Sequence, residues 1–196
     1  MFPLSCIFYF FPYKKAHESL GFLWKYLFKL LLIVLNKKMN IKGKSFPLQA
    51  LYFSHHQSFL DILIVGSYSP FILLMKKELA SIPVFGFCTR VIGCISVDRN
   101  SLESRRKAKT LIETRLKEGF SVHFYPEGTR TQKIQDFKNI KVALFQVAYH
   151  LNIPVIPLVI RSSELEILQP LYPKDFSEYS LFAEKAWKSL QDSYLD

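Results

Sequence analysis

Short apolar runs alternate with segments of helical periodicity from about residue 39 to the end of the chain. Short apolar runs bounded by turn-forming residues are typical of buried strands. They predict strands at residues 50–53, 71–75, 95–97, 121–125 and 155–160. Helices are predicted at residues 58–67, 102–117, 142–151 and 182–194. Strands that alternate with helices indicate a single α/β domain with a mostly parallel central sheet flanked by helices.

The apolar segment at residues 153–158, which overlaps the last of these strands, contains two prolines, Pro154 and Pro157. Proline has no backbone N–H to donate, so it is disfavoured inside a sheet. The sequence therefore predicts that this segment is an edge strand or the entry to a strand.

The first 36 residues have a different pattern. An apolar run at residues 4–11 lies between Pro3 and Pro12, and a second apolar segment covers residues 20–35. The first run is shorter than the ~20 residues that a helix needs to cross a bilayer. No basic segment precedes it, as a secretory signal peptide would require. We predict a hydrophobic membrane-associating segment at residues 1–36 and a folded domain at residues 37–196.

The segment at residues 20–35 predicts a helix with unequal faces. Gly21, Lys25 and Lys29 recur at a spacing of four and share one side. The wide remaining arc carries apolar side chains at Phe22, Leu23, Tyr26, Leu27, Leu30, Leu31 and Val34. This pattern favours a helix that lies in the headgroup region of a membrane. The alternatives are a helix packed on the domain and a single tilted span with snorkelling lysines.

The formal charge of +10 favours an anionic partner, either nucleic acid or a negatively charged membrane surface. Apolar residues crowd beside lysines near the N-terminus, which favours the membrane. Because no recognisable module interleaves basic residues with exposed aromatics, no nucleic-acid partner is expected. The three cysteines are odd in number and lack a CxxC pair, which indicates neither a disulfide framework nor a zinc site. We therefore expect a membrane-associated protein on the cytoplasmic face, peripheral or single-span.

The first candidate site follows the predicted strand at residues 50–53. Here His56 precedes Asp61 by five residues, and a histidine beside a carboxylate can act as a general base. Five residues apart on one helix, the two side chains would diverge by about 140°. They can therefore meet only if His56 lies in the turn and Asp61 in the first helical turn. Ser58 is placed to cap that helix with Asp61 three residues later, which is also the purely structural interpretation of Asp61.

The second candidate site is the segment Tyr125-Pro126-Glu127-Gly128-Thr129-Arg130, again directly after a predicted strand. Its proline and glycine indicate a tight turn, in which glycine permits a backbone conformation closed to other residues. The Arg130 guanidinium suits a phosphate group. Glu127 is expected to orient that arginine or to contact a polar headgroup. The alternative is an exposed turn with a surface ion pair.

Four segments together resemble the signature blocks of the glycerol-3-phosphate/1-acylglycerol-3-phosphate acyltransferase family, in the same order and at similar spacing. The family patterns are NHxxxxD, GxxFIDR, FPEGTR and VPIVPV. This chain has HHQSFLD, GCISVDR, YPEGTR and IPVIPL at the corresponding places. KKEL at residues 76–79 and IPVFG at residues 82–86 also resemble family sequence. The resemblance covers about residues 41–171.

The resemblance implies roles for individual residues. His56 corresponds to the general base and Asp61 to its partner, while His55 stands where the family usually has asparagine. The acceptor's glycerol phosphate would be bound by Arg99, Glu127, Gly128, Thr129 and Arg130. No metal or cofactor is implied, and acyl-CoA or acyl carrier protein would be the co-substrate. The chain departs from the family after the third block, where neither FKN nor IKVA supplies the glycine of the usual FKxG.

The implied function is acyl transfer to the sn-2 hydroxyl of 1-acylglycerol-3-phosphate, which gives phosphatidic acid, with the acyltransferase domain at residues 37–196. The partners would be a lysophospholipid acceptor, the acyl donor and an anionic membrane surface. One alternative is an acyltransferase or transacylase for another lysophospholipid. The other is a catalytically inactive peripheral membrane protein with this fold.

Overall fold

The computed structural model describes residues 13–43, 49–69, 71–82, 86, 89–90, 93–162 and 164–195, with the backbone alone at residues 13–20. The apolar run predicted at residues 4–11 lies outside these ranges. So do residues 83–85 of the segment that resembles family sequence.

The described strands form one sheet in the order β1-β7-β6-β2-β5-β3-β4. They are β1 Asn40–Lys42, β2 Leu51–Ser54, β3 Ile72–Lys76, β4 Ile95–Val97, β5 Val122–Phe124, β6 Val155–Arg161 and β7 Glu164–Ile167. Neighbouring strands are parallel except for the β6–β7 pair. The predicted mostly parallel sheet is thus confirmed, and each of the five predicted strands is present. β1 and β7 were not predicted, because β1 is short and exposed and β7 alternates over only four residues.

Five longer helices accompany the sheet in the described part of the chain: α1 Tyr13–Val34, α2 Leu60–Tyr68, α3 Leu102–Lys117, α4 Ala143–His150 and α5 Tyr179–Leu195. Short 3₁₀ helices occupy Lys77–Ser81, Phe137–Asn139 and Pro173–Asp175. The bounds of α3 match the prediction. Its N-cap residue Ser101 accepts a hydrogen bond from the Ser104 backbone N–H. The side chains of Ala108, Ile112 and Leu116, spaced by four, are buried beneath it.

The core has two parts, one on each face of the sheet. Leu51 and Phe53 of β2 belong to the cluster beneath α3, α4 and α5, while Tyr52 belongs to the cluster beneath α1 and α2. Successive strand residues point to opposite faces, so β2 contributes to both clusters. Because both faces are covered, the β2 side chains are all buried, and Leu51, Tyr52 and Phe53 form a continuous apolar run.

The prediction for the proline-containing segment holds for Pro154, which stands at the entry to β6 directly before Val155. It was wrong for Pro157, because β6 lies inside the sheet between β2 and β7. Pro157 pairs with Phe53 of β2, and its carbonyl accepts a hydrogen bond from the Leu168 N–H. The N–H and C=O of one strand residue point to the same neighbour. The missing N–H of Pro157 therefore faces the β7 side. Pro157 lies one residue beyond the last β6–β7 pair, which is Leu158 with Ile167. The missing N–H therefore leaves the ladder between β6 and β2 unbroken.

The N-terminal helix α1 packs on α2 through one narrow strip. Phe28 and Leu32 are buried in the cluster that includes Leu63 and Ile64 of α2. The two helices approach closely at Gly66, where a Cβ would lie 2.2 Å from the Phe28 ring. The helix is thus packed on the domain, as one of the alternatives proposed.

The seven apolar residues predicted for the opposite arc of α1 are all exposed: Phe22, Leu23, Tyr26, Leu27, Leu30, Leu31 and Val34. Lys29 is also exposed, whereas Lys25 is half-buried, and burial and the neighbouring Lys29 lower its pKa. Among the helices that the structure describes, none is both long enough and apolar enough to cross a bilayer. The division at residue 36 stays a prediction.

Candidate active site

The candidate residues meet at the carboxyl edge of the sheet. The adjacent strands β2, β5, β3 and β4 are parallel, so their carboxyl ends lie along one edge. His56 follows β2, Arg99 follows β4, and the Glu127–Arg130 segment follows β5. Ligand sites of open α/β sheets lie at this edge. The fold therefore gathers segments that are distant in the chain.

His56 and Asp61 form the hydrogen-bonded pair that the spacing predicted. His56 lies in the turn after β2 and Asp61 in the first turn of α2, and His56 Nδ1 is 3.0 Å from Asp61 Oδ2. The same oxygen accepts the backbone N–H groups of Gln57 at 2.7 Å and Ser58 at 2.8 Å. Because Oδ2 accepts from these donors as a carboxylate, His56 Nδ1 carries its hydrogen. The lone pair is then on Nε2, which is the nitrogen that a general base uses.

Asp61 is ionised in this setting. Burial opposes its charge, but the hydrogen bonds from His56, Ser58 and Gln57 outweigh burial and hold the pKa of Asp61 below its usual value. Ser58 Oγ donates to Asp61 Oδ1 at 3.1 Å and accepts the Leu60 N–H. The predicted Ser58–Asp61 partnership is thus present. The N-cap position itself is Phe59, one residue later than predicted, because the helix begins at Leu60.

Tyr125 fixes the ring of His56 from the other side. The two rings are stacked with centroids 3.9 Å apart and planes inclined by 16°. The His56 side chain retains 11% exposure. Its imidazole is therefore held by a carboxylate at one edge and an aromatic ring on one face.

An apolar cavity lies beside His56. Its apolar wall consists of Phe28, Ile62, Leu73, Leu74, Met75 and Leu79. His56, Tyr125, Lys76, Thr89 and Arg99 also line it. One residue of α1 thus lines the same cavity as the candidate base.

The two arginines carried over from the family resemblance are both exposed. Arg99 lines the cavity, and Arg130 lies in the loop after β5. Within the described ranges, neither guanidinium forms an ion pair. Both are free to receive an anionic group.

Glu127 does not orient Arg130, which corrects one of the two roles expected for it. Its side chain is 1% exposed, and Oε1 lies 2.5 Å from His55 Nδ1. Oε1 also accepts the Thr131 hydroxyl at 3.0 Å, and Oε2 accepts the His56 backbone N–H at 2.9 Å. The carboxylate therefore links the loops that follow β2 and β5.

The loop after β5 has the predicted tight turn. Gly128 has a φ of +71°, a conformation that favours glycine, and its N–H donates to the Tyr125 carbonyl at 3.0 Å. Thr129 and Arg130 on its far side are exposed. The turn thus places Glu127 inside and Arg130 outside.

A buried Ser54–His123 pair lies near the site, with Oγ 3.0 Å from Nε2. It has the residue types of a nucleophile and its base. However, Ser54 and His123 are 0% and 1% exposed. Burial lowers the pKa of His123 to about 3. A base so weak and so enclosed does not suit an acyl-enzyme mechanism.

Three residues contribute to this site although the sequence predicted no role for them. Tyr125 stacks on His56, His55 contacts Glu127, and Thr131 bonds Glu127 and the His56 carbonyl. Tyr125 and His55 lie within the motifs already singled out, and Thr131 is the next residue after one. Adjacency to a motif was the available signal, but it does not specify a contact.

Comparison with known proteins agrees with this geometry. The chain is 32% identical over 155 residues to the chloroplastic 1-acyl-sn-glycerol-3-phosphate acyltransferase LPAT1 of Arabidopsis thaliana, covering 76% of this chain and 42% of that protein. It is 29% identical over 147 residues to the 1-acyl-sn-glycerol-3-phosphate acyltransferase of Salmonella typhimurium, covering 66% and 58%. A lyso-ornithine lipid O-acyltransferase of Rhodobacter capsulatus is 25% identical over 121 residues, covering 62% and 43%. The chain thus spans about half the length of these relatives.

The fold has a solved counterpart. The crystal structure of the acyltransferase PlsC from Thermotoga maritima superposes with a TM-score of 0.77 at 20% identity, covering 97% of this chain and 84% of that one. The Acyltransferase family model matches residues 38–161, which include both candidate motifs and the sheet edge between them. The chain belongs to the Acyltransferase family.

Proposed function

We propose that this protein transfers a fatty acyl group from acyl-CoA or acyl carrier protein to the sn-2 hydroxyl of 1-acylglycerol-3-phosphate, giving phosphatidic acid. The observation that carries the proposal is the His56–Asp61 pair, which leaves a base nitrogen beside an apolar cavity. The names of the relatives from Arabidopsis and Salmonella support the acceptor.

The geometry suits direct transfer between donor and acceptor. His56 Nε2 takes the proton of the acceptor hydroxyl, and the oxygen attacks the thioester carbonyl. The C–S bond then breaks, and His56 returns the proton to the leaving thiolate. Asp61 stabilises the imidazolium formed between these steps. General-base help of this kind is worth roughly 10²–10⁴ in rate.

The surroundings of His56 suit the two substrates. The apolar wall of the cavity suits contact with the methylene groups of an acyl chain, each of which contributes about 0.8 kcal/mol when buried. The exposed guanidiniums of Arg99 and Arg130 fit the acceptor phosphate. Holding the phosphate would orient the hydroxyl toward His56 and reduce the entropic barrier.

The proposal is tested by acyl transfer assays on the purified protein in detergent. Labelled palmitoyl-CoA and palmitoyl-acyl carrier protein would be offered with lysophosphatidic acid, lysophosphatidylethanolamine, lysophosphatidylglycerol or a lyso-ornithine lipid. Phosphatidic acid as the main product supports the proposal. Preference for another acceptor would retain the reaction and overturn the substrate. Folded protein without transfer in any combination would favour the inactive membrane protein instead.

Arg130→Gln is expected to raise KM for lysophosphatidic acid roughly tenfold, which corresponds to about 1.4 kcal/mol. The change removes a charged donor from the acceptor phosphate and leaves His56 in place. Steady-state kinetics with varied acceptor measure the effect. Monoacylglycerol, which lacks the phosphate, should be used equally poorly by the variant and by the unmodified protein.

Lys133→Gln is the matched control, because Lys133 is an exposed cation in the same loop. It should leave KM unchanged. An equal rise in KM for both variants would indicate a general charge effect and contradict a specific role for Arg130.

We also propose that α1 contacts an anionic membrane surface. Its exposed apolar arc is wider than a helix needs for one packing partner, and the exposed lysines Lys29 and Lys38 lie beside it. Phe28 joins α1 to the cavity, so membrane contact there would bring the lipid substrates close to His56. The cytoplasmic face stays part of this proposal.

Leu30→Glu is expected to lower affinity for phosphatidylglycerol-containing vesicles at least tenfold, because burying a leucine is worth roughly 1.5–3 kcal/mol. Leu30 is exposed on the arc, so the substitution leaves the packing on α2 intact. Vesicle sedimentation provides the measurement. Leu181→Glu, which changes another exposed leucine, on α5, is the control. Equal binding by both variants would exclude α1 as the contact.

A further inference from the structure

Glu127 has its protein partners inside the molecule and no open route to a ligand. Its side chain is 1% exposed, and three protein donors meet its two oxygens. A substrate contact would require one of these hydrogen bonds to break. Loss of a hydrogen bond to a buried charge is costly, so the observed arrangement favours a structural link over a substrate contact.

The link acts on the backbone of the candidate base. Glu127 Oε2 accepts the His56 N–H at 2.9 Å, and the Thr131 N–H donates to the His56 carbonyl at 2.8 Å. Both polar backbone groups of His56 are thereby bonded to the loop after β5. The side chain of His56 is held separately, by Asp61 and Tyr125.

His55 completes the link. Glu127 accepts hydrogen bonds from Thr131 and from the His56 N–H, so His55 Nδ1 must be the donor at 2.5 Å. The His55 side chain is 1% exposed, and its ring meets the edge of Tyr194 at 5.4 Å between centroids. Its Nε2 has no hydrogen-bond partner among the described residues. Among the described residues, the hydrogen bond from Nδ1 to Glu127 is therefore the one that the His55 ring forms.

We infer that His55 and Glu127 are positioning residues, which fix the backbone of His56 and do not bind the acceptor. The inference rests on the proposed function for its kinetic consequence. The family resemblance implies that Glu127 binds the substrate. The inference makes it a residue that supports the base instead. It also gives His55 a positioning role, which neither its place in the sequence nor its burial indicated.

The kinetic test compares Glu127→Gln with Arg130→Gln. Glutamine cannot accept all three hydrogen bonds, because one of its two terminal atoms is a donor. A misplacement of about 1 Å can cost about 100-fold, and a smaller shift here is expected to lower kcat roughly tenfold. KM for lysophosphatidic acid should stay unchanged in Glu127→Gln and rise in Arg130→Gln. A raised KM with unchanged kcat in Glu127→Gln would overturn the inference.

Two substitutions at His55 separate the hydrogen bond from packing. His55→Asn places an amide N–H where Nδ1 lies and should keep kcat near that of the unmodified protein. His55→Leu fills similar space without a donor and should lower kcat as Glu127→Gln does. Equal kcat values for the two variants would overturn the role of His55.

A measurement without substrate keeps the inference distinct from the proposed function. The protein has five histidines, so ¹⁵N-histidine labelling gives few backbone amide signals to assign. The His56 amide proton should move upfield in Glu127→Gln, as it loses a charged acceptor, and stay in place in Arg130→Gln. An unmoved signal in Glu127→Gln would overturn the link. If unmodified protein shows no transfer, the proposed function fails while this result still decides the link.

Thr131→Val serves if Glu127→Gln does not fold. It removes one hydrogen bond to the same carboxylate and keeps the side-chain shape. A smaller fall in kcat at unchanged KM would support the inference. Unchanged kcat together with an unmoved His56 amide signal would overturn it.

Discussion

Replacement of His56 by alanine is expected to lower kcat for acyl transfer roughly 10²–10⁴-fold. The imidazole is the group placed to take the acceptor proton, since Asp61 holds its Nδ1 and Nε2 carries the lone pair. KM for lysophosphatidic acid should change little, because the phosphate is bound elsewhere in the proposed complex. Initial rates with saturating donor and varied acceptor measure both constants.

His150→Ala is the control for this experiment. His150 is exposed at the end of α4 and belongs to no part of the candidate site. Thermal unfolding of both variants should be compared with the unmodified protein. A folded His56→Ala variant that retains full kcat would exclude His56 as the base and refute the mechanism.

Asp61→Asn is expected to lower kcat roughly 10- to 100-fold, the equivalent of about 1.5–3 kcal/mol for a charged hydrogen bond. The donors His56 Nδ1, Gln57 N–H and Ser58 N–H all meet Oδ2. An amide oxygen at that position can accept the same hydrogens, so the turn and the histidine tautomer are preserved. What is lost is the negative charge that stabilises the imidazolium.

The size of the loss distinguishes two orientations of the amide that Asp61→Asn introduces. If its NH₂ group faced His56, Nδ1 would have to accept and the base nitrogen would carry the hydrogen. A wrong tautomer of this kind costs about 10⁴ in a related catalytic arrangement. Kinetics of Asp61→Asn and Asp61→Ala together provide the measurement. Full activity in Asp61→Asn would exclude an electrostatic role for Asp61.

Local sequence patterns predicted most of the regular structure. The helix α3 begins and ends where its periodicity indicated, because its buried residues and its cap lie close together along the chain. The exposed arc of α1 was likewise predictable, since helical geometry alone sorts its residues into faces. The pairing of His56 with Asp61 could be foreseen as a turn followed by a helix start. These features depend on residues that are near neighbours in the sequence.

The position of Pro157 shows where such patterns fail. A missing N–H excludes a residue from a ladder only on the side to which that N–H points. The arrangement of the strands decides which side of Pro157 faces β7 and where β7 stops pairing with β6. The strands β1 and β7 were missed for a related reason. β1 is a strand because it pairs with β7, and β7 is a strand because it pairs with β1 and β6.

The role of Glu127 illustrates the same division at the candidate site. Its motif was recognisable, and the tight turn at Gly128 followed from residue type. Its partner His55 lies 72 residues away in the chain, and the two meet because β2 and β5 are neighbours in the sheet. Chain-local chemistry therefore identified the histidine, carboxylates and arginine of the site. The strand order decided that the inward-facing Glu127 meets His55 and His56, because hydrogen bonds between distant segments require the fold to bring them together.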